Sequence, residues 1–132
     1  MGATKVEKVI MKFDFGFAQG ATVAAHKIGV LPAGAIITNA YTDCTVDVTS
    51  GGAATVALGY TGAAAGFLAA TAKASLTAAG NAIKGAQTAV DGVQEADEAI
   101  VLASDVEVIQ TNAVAALTAG GGSLFVEYVV NS

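Results

Sequence analysis

The sequence predicts a mainly β protein: an antiparallel two-sheet sandwich, jelly-roll-like, with one short helix. Three observations carry that prediction. Apolar and polar residues alternate with period two in several short runs, glycine- or proline-bearing turns separate those runs at nearly regular spacing, and a single alanine-rich stretch has helical propensity. An immunoglobulin-like sandwich has the same spacing, but its cysteine and tryptophan markers are missing, since the chain has one cysteine and no tryptophan.

The firmest strand runs from Val9 to Phe17, with Val9, Met11, Phe13, Phe15 and Phe17 on one face and Ile10, Lys12, Asp14 and Gly16 on the other. Three of the chain's five phenylalanines share that first face, so this strand is expected to carry much of the aromatic core. Each ring fully covered there contributes about 1.5–3 kcal/mol. Gln19-Gly20 breaks the run, and Thr22 to Val30 forms a second strand with His26, Ile28 and Val30 together. Leu31-Pro32-Ala33-Gly34 then reads as a turn, because proline presets φ for a corner position and glycine tolerates positive φ. It delivers the long β-branched run up to Val48, whose core-facing side from Ala40 onward is Ala40, Thr42, Cys44, Val46 and Val48. Ser50-Gly51-Gly52 signals a turn into Ala54 to Tyr60, and the two strands are expected to form a hairpin.

From Phe67 to Leu76 the alanine-rich texture predicts a short helical turn or two, and Thr77 to Ala99 reads as a surface loop ending in an acidic cluster. Strand character returns at Ile100–Leu102 and again at Val106–Ile109, with Asn112 as its end. Thr118 to Ser123 (TAGGGS) reads as a glycine turn before the last strand, Leu124 to Val130, which places Leu124, Val126, Tyr128 and Val130 on one face. That makes seven or eight strands in one domain spanning residues 1–132, from which residues 1–8 are expected to extend as an arm.

Composition narrows the function classes. The chain is 54% hydrophobic and 13% charged, yet no window holds the roughly 18 uninterrupted apolar residues of a membrane span, so no membrane partner is expected. All six basic residues are lysine against eleven acids, a formal charge of -5 that repels a phosphate backbone, so no nucleic-acid partner is expected either. The charged start gives no export signal. Because much of the apolar fraction is alanine, a monomer has a thin core, and the final strand is apolar on both faces apart from Glu127. Self-association follows, with Phe125 and Val129, together with Tyr128, covered by a neighbouring protomer or by the chain's own first strand.

Catalytic chemistry finds no footing. The one histidine, His26, has no cysteine or second histidine in range and reads as a satisfied strand residue, and Cys44 reads as a small buried hydrophobe. Asp43 and Asp47 share a strand face and Asp91, Glu95, Asp97 and Glu98 crowd a loop, but DGVQEADE lacks the alternate-residue spacing of a calcium loop. Gly120-Gly121-Gly122 precedes no helix and is not a phosphate cradle. No enzyme, metal or cofactor is expected.

The phrases LPAGAIITNAYTDCTVDVTS, ATVALGY, GFLAATAKASLTAAG and ALTAGGGSLFVEYVV, in that order over Val30 to Val130, resemble head decoration (cement) and head-fibre proteins of tailed bacteriophages. The resemblance implies a jelly-roll-like sandwich, assembled as a trimer or dimer, on the outer surface of a capsid with the major capsid protein as partner. A tail-associated, receptor-binding or carbohydrate-binding sandwich is the alternative, although three tyrosines and no tryptophan offer little to stack on sugars. Charge is polarised along the chain: Lys5, Lys8 and Lys12 lie in the first dozen residues, and six of the eleven acids lie between Asp91 and Glu107. On a capsid, that pattern assigns the three lysines to the contact and the acidic loop to solvent.

Overall fold

The computed structural model describes Ala3 and residues 7–78, 83–84 and 100–130. Nine strands follow in order: β1 (Lys8–Gly16), β2 (Ala25–Leu31), β3 (Ala35–Ser50), β4 (Thr55–Tyr60), β5 (Ala63–Ala72), β6 (Ile83–Lys84), β7 (Ile100–Val101), β8 (Val106–Ala113) and β9 (Leu117–Val130). They form a five-stranded sheet ordered β1-β9-β3-β6, with β7 also on β3, and a four-stranded sheet ordered β2-β8-β4-β5. Every pairing is antiparallel. The pairing is nested: the first strand meets the last, β2 meets β8, β3 meets β6 and β7, and β4 meets β5. It is the ladder of one long hairpin wound into two layers.

Alternation decides which residues lie between the layers. Phe13 and Phe15 from β1, Ile37 and Ala40 from β3, and Leu124 and Val126 from β9 meet Val56, Leu58, Phe67 and Val108 of the other sheet in one apolar cluster. The Pro32–Gly34 turn is present, closed by Ala35 N–H donating to Pro32 O at 3.3 Å, with Gly34 at φ 83. A bulge at Thr38, where Ile37 and Asn39 oppose successive β9 residues, keeps both Ile37 and Ala40 in the core.

Several expectations need correction. β3 and β4 do not form a hairpin, because the chain reverses at Ser50–Gly52 and changes sheet. The alanine-rich segment is mostly strand β5, with only a 3₁₀ turn at Lys73–Ser75, since burying Phe67 and Leu68 between the layers outweighs alanine's helical preference. Two bulges in β3 turn Val46 outward, 58% exposed, while Cys44 and Val48 stay inside. Phe17 lies beyond β1 and is exposed, and a bulge between Lys27 and Gly29 leaves Val30 exposed. Asn112 is buried within β8 and does not end it.

The glycine run is the largest revision. Gly120–Gly122 lies inside β9, with Gly121 and Gly122 paired with both β3 and β1 and Gly120 in a bulge of the β3 ladder. Gly120 and Gly121 have φ of 95° and 152°, and a side chain there would strike the backbone of Asp47 or of Phe15. These glycines let a central strand pass close between two neighbours where its ladder bulges.

Candidate functional site

The outer face of the five-stranded sheet gathers the residues that the sequence singled out. With Phe13 and Phe15 turned inward, β1 must present Lys8, Ile10, Lys12 and Asp14 outward, all four exposed. Their partners on β9 are Val129, Glu127, Phe125 and Ser123. β3 continues the same four rows with Ile36, Asn39, Tyr41 and Asp43. Cross-strand register thus builds a surface from residues more than a hundred positions apart.

The middle of this surface is apolar and aromatic. Phe125 and Tyr41 stack with ring centroids 5.2 Å apart and planes 20° apart, and Val129 stands beside Ile36, which pairs in turn with exposed Val101. Ile10, 53% exposed, extends the patch to the sheet edge. Glu127 and Asn39 lie between its two halves, and Lys8, Lys12, Asp14 and Asp43 surround it, with Ser123 Oγ donating to Asp14 Oδ1 at 3.4 Å. At one end the face sinks into a depression of about 450 Å³ between Lys12, Asp14, Phe17, Val46 and the glycine run.

Of the predicted contact residues, Lys8 and Lys12 share this face, and Lys5 lies outside the described residues. Phe125 and Val129 are half-buried on the same face, whereas Tyr128 is 6% exposed and packs into its own core. Tyr128 is therefore not part of the surface, because the period that turns Phe125 and Val129 outward turns it inward. Asp91, Glu95, Asp97 and Glu98 lie outside the described residues. Ile10, Ile36 and Tyr41 are the members that sequence reasoning did not select. An apolar residue on the charged face of β1 was the available signal for Ile10, while the other two emerge only from the register.

The remaining reactive side chains are engaged. His26 Nε2 lies 2.9 Å from Thr22 O, and its ring covers Gly20. Cys44 is buried, its Sγ donating to Val46 O at 3.2 Å, and burial pushes its thiol pKa up, with Asp47 and Asp43 adding to the rise. Among the described residues no three His, Cys, Asp or Glu side chains come together as a metal site, and no helix is long and apolar enough to cross a membrane. The outer face can supply van der Waals contact, aromatic surface and paired charges, which is the chemistry of macromolecular association.

No family model matches this chain, and no curated protein matches it. Among solved structures, a chain of the capsid of Ralstonia phage GP4 is similar in fold. The TM-score is 0.53 at 19% sequence identity, over 99% of this chain and 87% of that one.

Proposed function

We propose that this chain is a non-enzymatic structural protein of a phage virion that decorates and stabilises the outer surface of the capsid. The observation that carries the reading is the likeness in fold, over 99% of this chain and 87% of the other, to a chain from a phage capsid. The nested pairing supports the jelly-roll form of the sandwich. The apolar outer face with its charged surround supports an associating role, and the engaged states of His26 and Cys44 agree with a chain that does no chemistry.

On this reading the protomers form a symmetric homo-oligomer, a trimer, through the part of the face around Phe125 and Val129. Lys8 and Lys12, with Lys5 of the amino-terminal arm, meet an acidic patch on the major capsid protein. Locating the chain in purified particles by electron microscopy tests the reading. Density on the head surface is expected; density at the tail tip, where the receptor-binding alternative puts it, or no density at all would refute it. Two finer tests follow. A chain lacking residues 1–8 should lose occupancy on undecorated capsids, and Phe125→Asp with Val129→Asp should reduce the trimer to smaller species in light scattering.

A further inference from the structure

β1 is an open edge. It pairs with β9 along its full length, and no described residue pairs with its other side. The remaining edges differ in kind: β2 and β5 are broken by register shifts, and β6 and β7 have two residues each. Bulges and shortness are ways in which proteins close an edge to further strands, and β1 has neither, nor a proline. Val9 and Met11, which pack against the core from this strand, are only partly buried.

We propose that the free edge of β1 pairs antiparallel with β1 of a second copy, about a two-fold axis at Met11. Opposed residues in an antiparallel pair point to the same face, so the axis must pass through a residue position of the strand, and the outward charges decide which one. With the axis at Met11, Lys8 stands opposite Asp14 of the second copy, Asp14 opposite Lys8 of the second copy, and Lys12 opposite Ile10 of the second copy. Moving it to Ile10 sets Lys8 against Lys12 of the second copy, and moving it to Lys12 sets that lysine against its own equivalent. An axis at Phe13 restores opposite charges but recruits Gly16, whose N–H and C=O are held by the Gln110 carboxamide at 2.7 and 3.1 Å. The Met11 axis alone pairs seven extended residues with matched charge. On the inner face it covers Met11 with Met11 of the second copy and Val9 with Phe13 of the second copy.

The contact is isologous and closes with two copies. It uses the strand edge, so it joins protomers whether or not they also associate through Phe125 and Val129. Two outer faces become one continuous surface, with Ile10 near the centre. The inference does not rest on the capsid reading and is tested on the protein alone.

Met11→Cys places two thiols directly across the axis, where opposed Cα atoms about 4.5–5.5 Å apart fall within disulfide range. The one native cysteine is buried. Mild oxidation should give a covalent dimer on a non-reducing denaturing gel; a band at single-chain mass would overturn the pairing. In sedimentation equilibrium at low salt, Lys8→Glu should weaken the dimer about tenfold or more, because it sets a carboxylate against Asp14 of the other copy at both ends of the pair. Lys8→Glu combined with Asp14→Lys should restore it. Both side chains are exposed, so folding is preserved, as circular dichroism will verify. An unchanged association constant in the single variant, or no recovery in the double one, would refute this register.

Discussion

Replacing Gln110 isolates the device that joins the two layers at the end of β1. Its side chain is fully enclosed, and its Oε1 accepts from Gly16 N–H at 2.7 Å. Its Nε2 reaches Gly16 O at 3.1 Å, Gly20 O at 3.1 Å and Asn112 Oδ1 at 2.9 Å. Leucine fills nearly the same volume, so the cost of Gln110→Leu comes from the groups left behind rather than from a cavity. Gly16 O keeps the N–H groups of Gln19 and Gly20, and Gly20 O keeps Asn112 Nδ2 at 2.7 Å. The groups stripped are Gly16 N–H and Asn112 Oδ1. At about 1–3 kcal/mol for each buried group left unpaired, the expected loss is about 2–6 kcal/mol, a large share of a typical domain's stability.

Gln110→Glu separates hydrogen bonding from shape. The carboxylate still accepts from Gly16 N–H, but its second oxygen faces three acceptors, so the carboxyl pKa in the folded state is raised above its unfolded value. The destabilisation is therefore full at neutral pH and shrinks as pH falls through the folded-state value, when the protonated group regains a donor. The deficit of the leucine variant should stay level over the same range. Urea unfolding followed by far-ultraviolet circular dichroism, at pH 7 and pH 5, measures both. A leucine variant within about 0.5 kcal/mol of the parent, or a glutamate deficit that does not change with pH, would refute the argument.

Thr42 is fully buried, and its Oγ1 has no partner among the described residues, so Thr42→Val should raise stability by about 1 kcal/mol in the same unfolding assay. Gly121→Ala must fit a side chain against the Phe15 carbonyl at φ 152°, and should lower stability by about 3 kcal/mol or more, seen as a fall in Tm of roughly 10 °C. Cys44 should resist maleimide at pH 8 in the native protein and react once urea exposes it. Because burial favours its neutral thiol, its share of stability is constant below the unfolded thiol's pKa and is lost as pH rises above it, so unfolding midpoints should fall on the alkaline side.

How far the sequence could be read depended on whether a segment keeps one period. β1 was legible because Val9 to Phe15 alternate without a bulge and one side must be dry. β3 was legible as a strand but not in its phase at Val46, since bulges set by the ladder with β9 leave no mark in local propensity. The glycine signals were ambiguous for a physical reason: freedom to take positive φ serves a turn at Gly34 and a close strand approach at Gly120–Gly122 equally well. β5 was misread because alanine's preference is weak, and two large buried side chains suffice to override it. At the outer face, Lys8, Lys12, Phe125 and Val129 could be found from charge and alternation, but their assembly into rows with Tyr41 and Ile36 required the register.

That register also determines where the open edge falls. A final strand apolar on both faces would be hazardous at the margin of a sheet, and here β1 and β3 cover it on both sides. Covering it does not abolish the edge but moves it one strand outward, from LFVEYVV to KVIMKFDFG. The new margin carries lysine, isoleucine, lysine and aspartate at alternate outward positions, a pattern that opposes most alignments with a copy of itself, and of the two that it matches only the Met11 axis leaves Gly16 to Gln110. An edge so marked is closed to promiscuous pairing while open to a single register, and the charge exchange between Lys8 and Asp14 distinguishes that selectivity from simple protection.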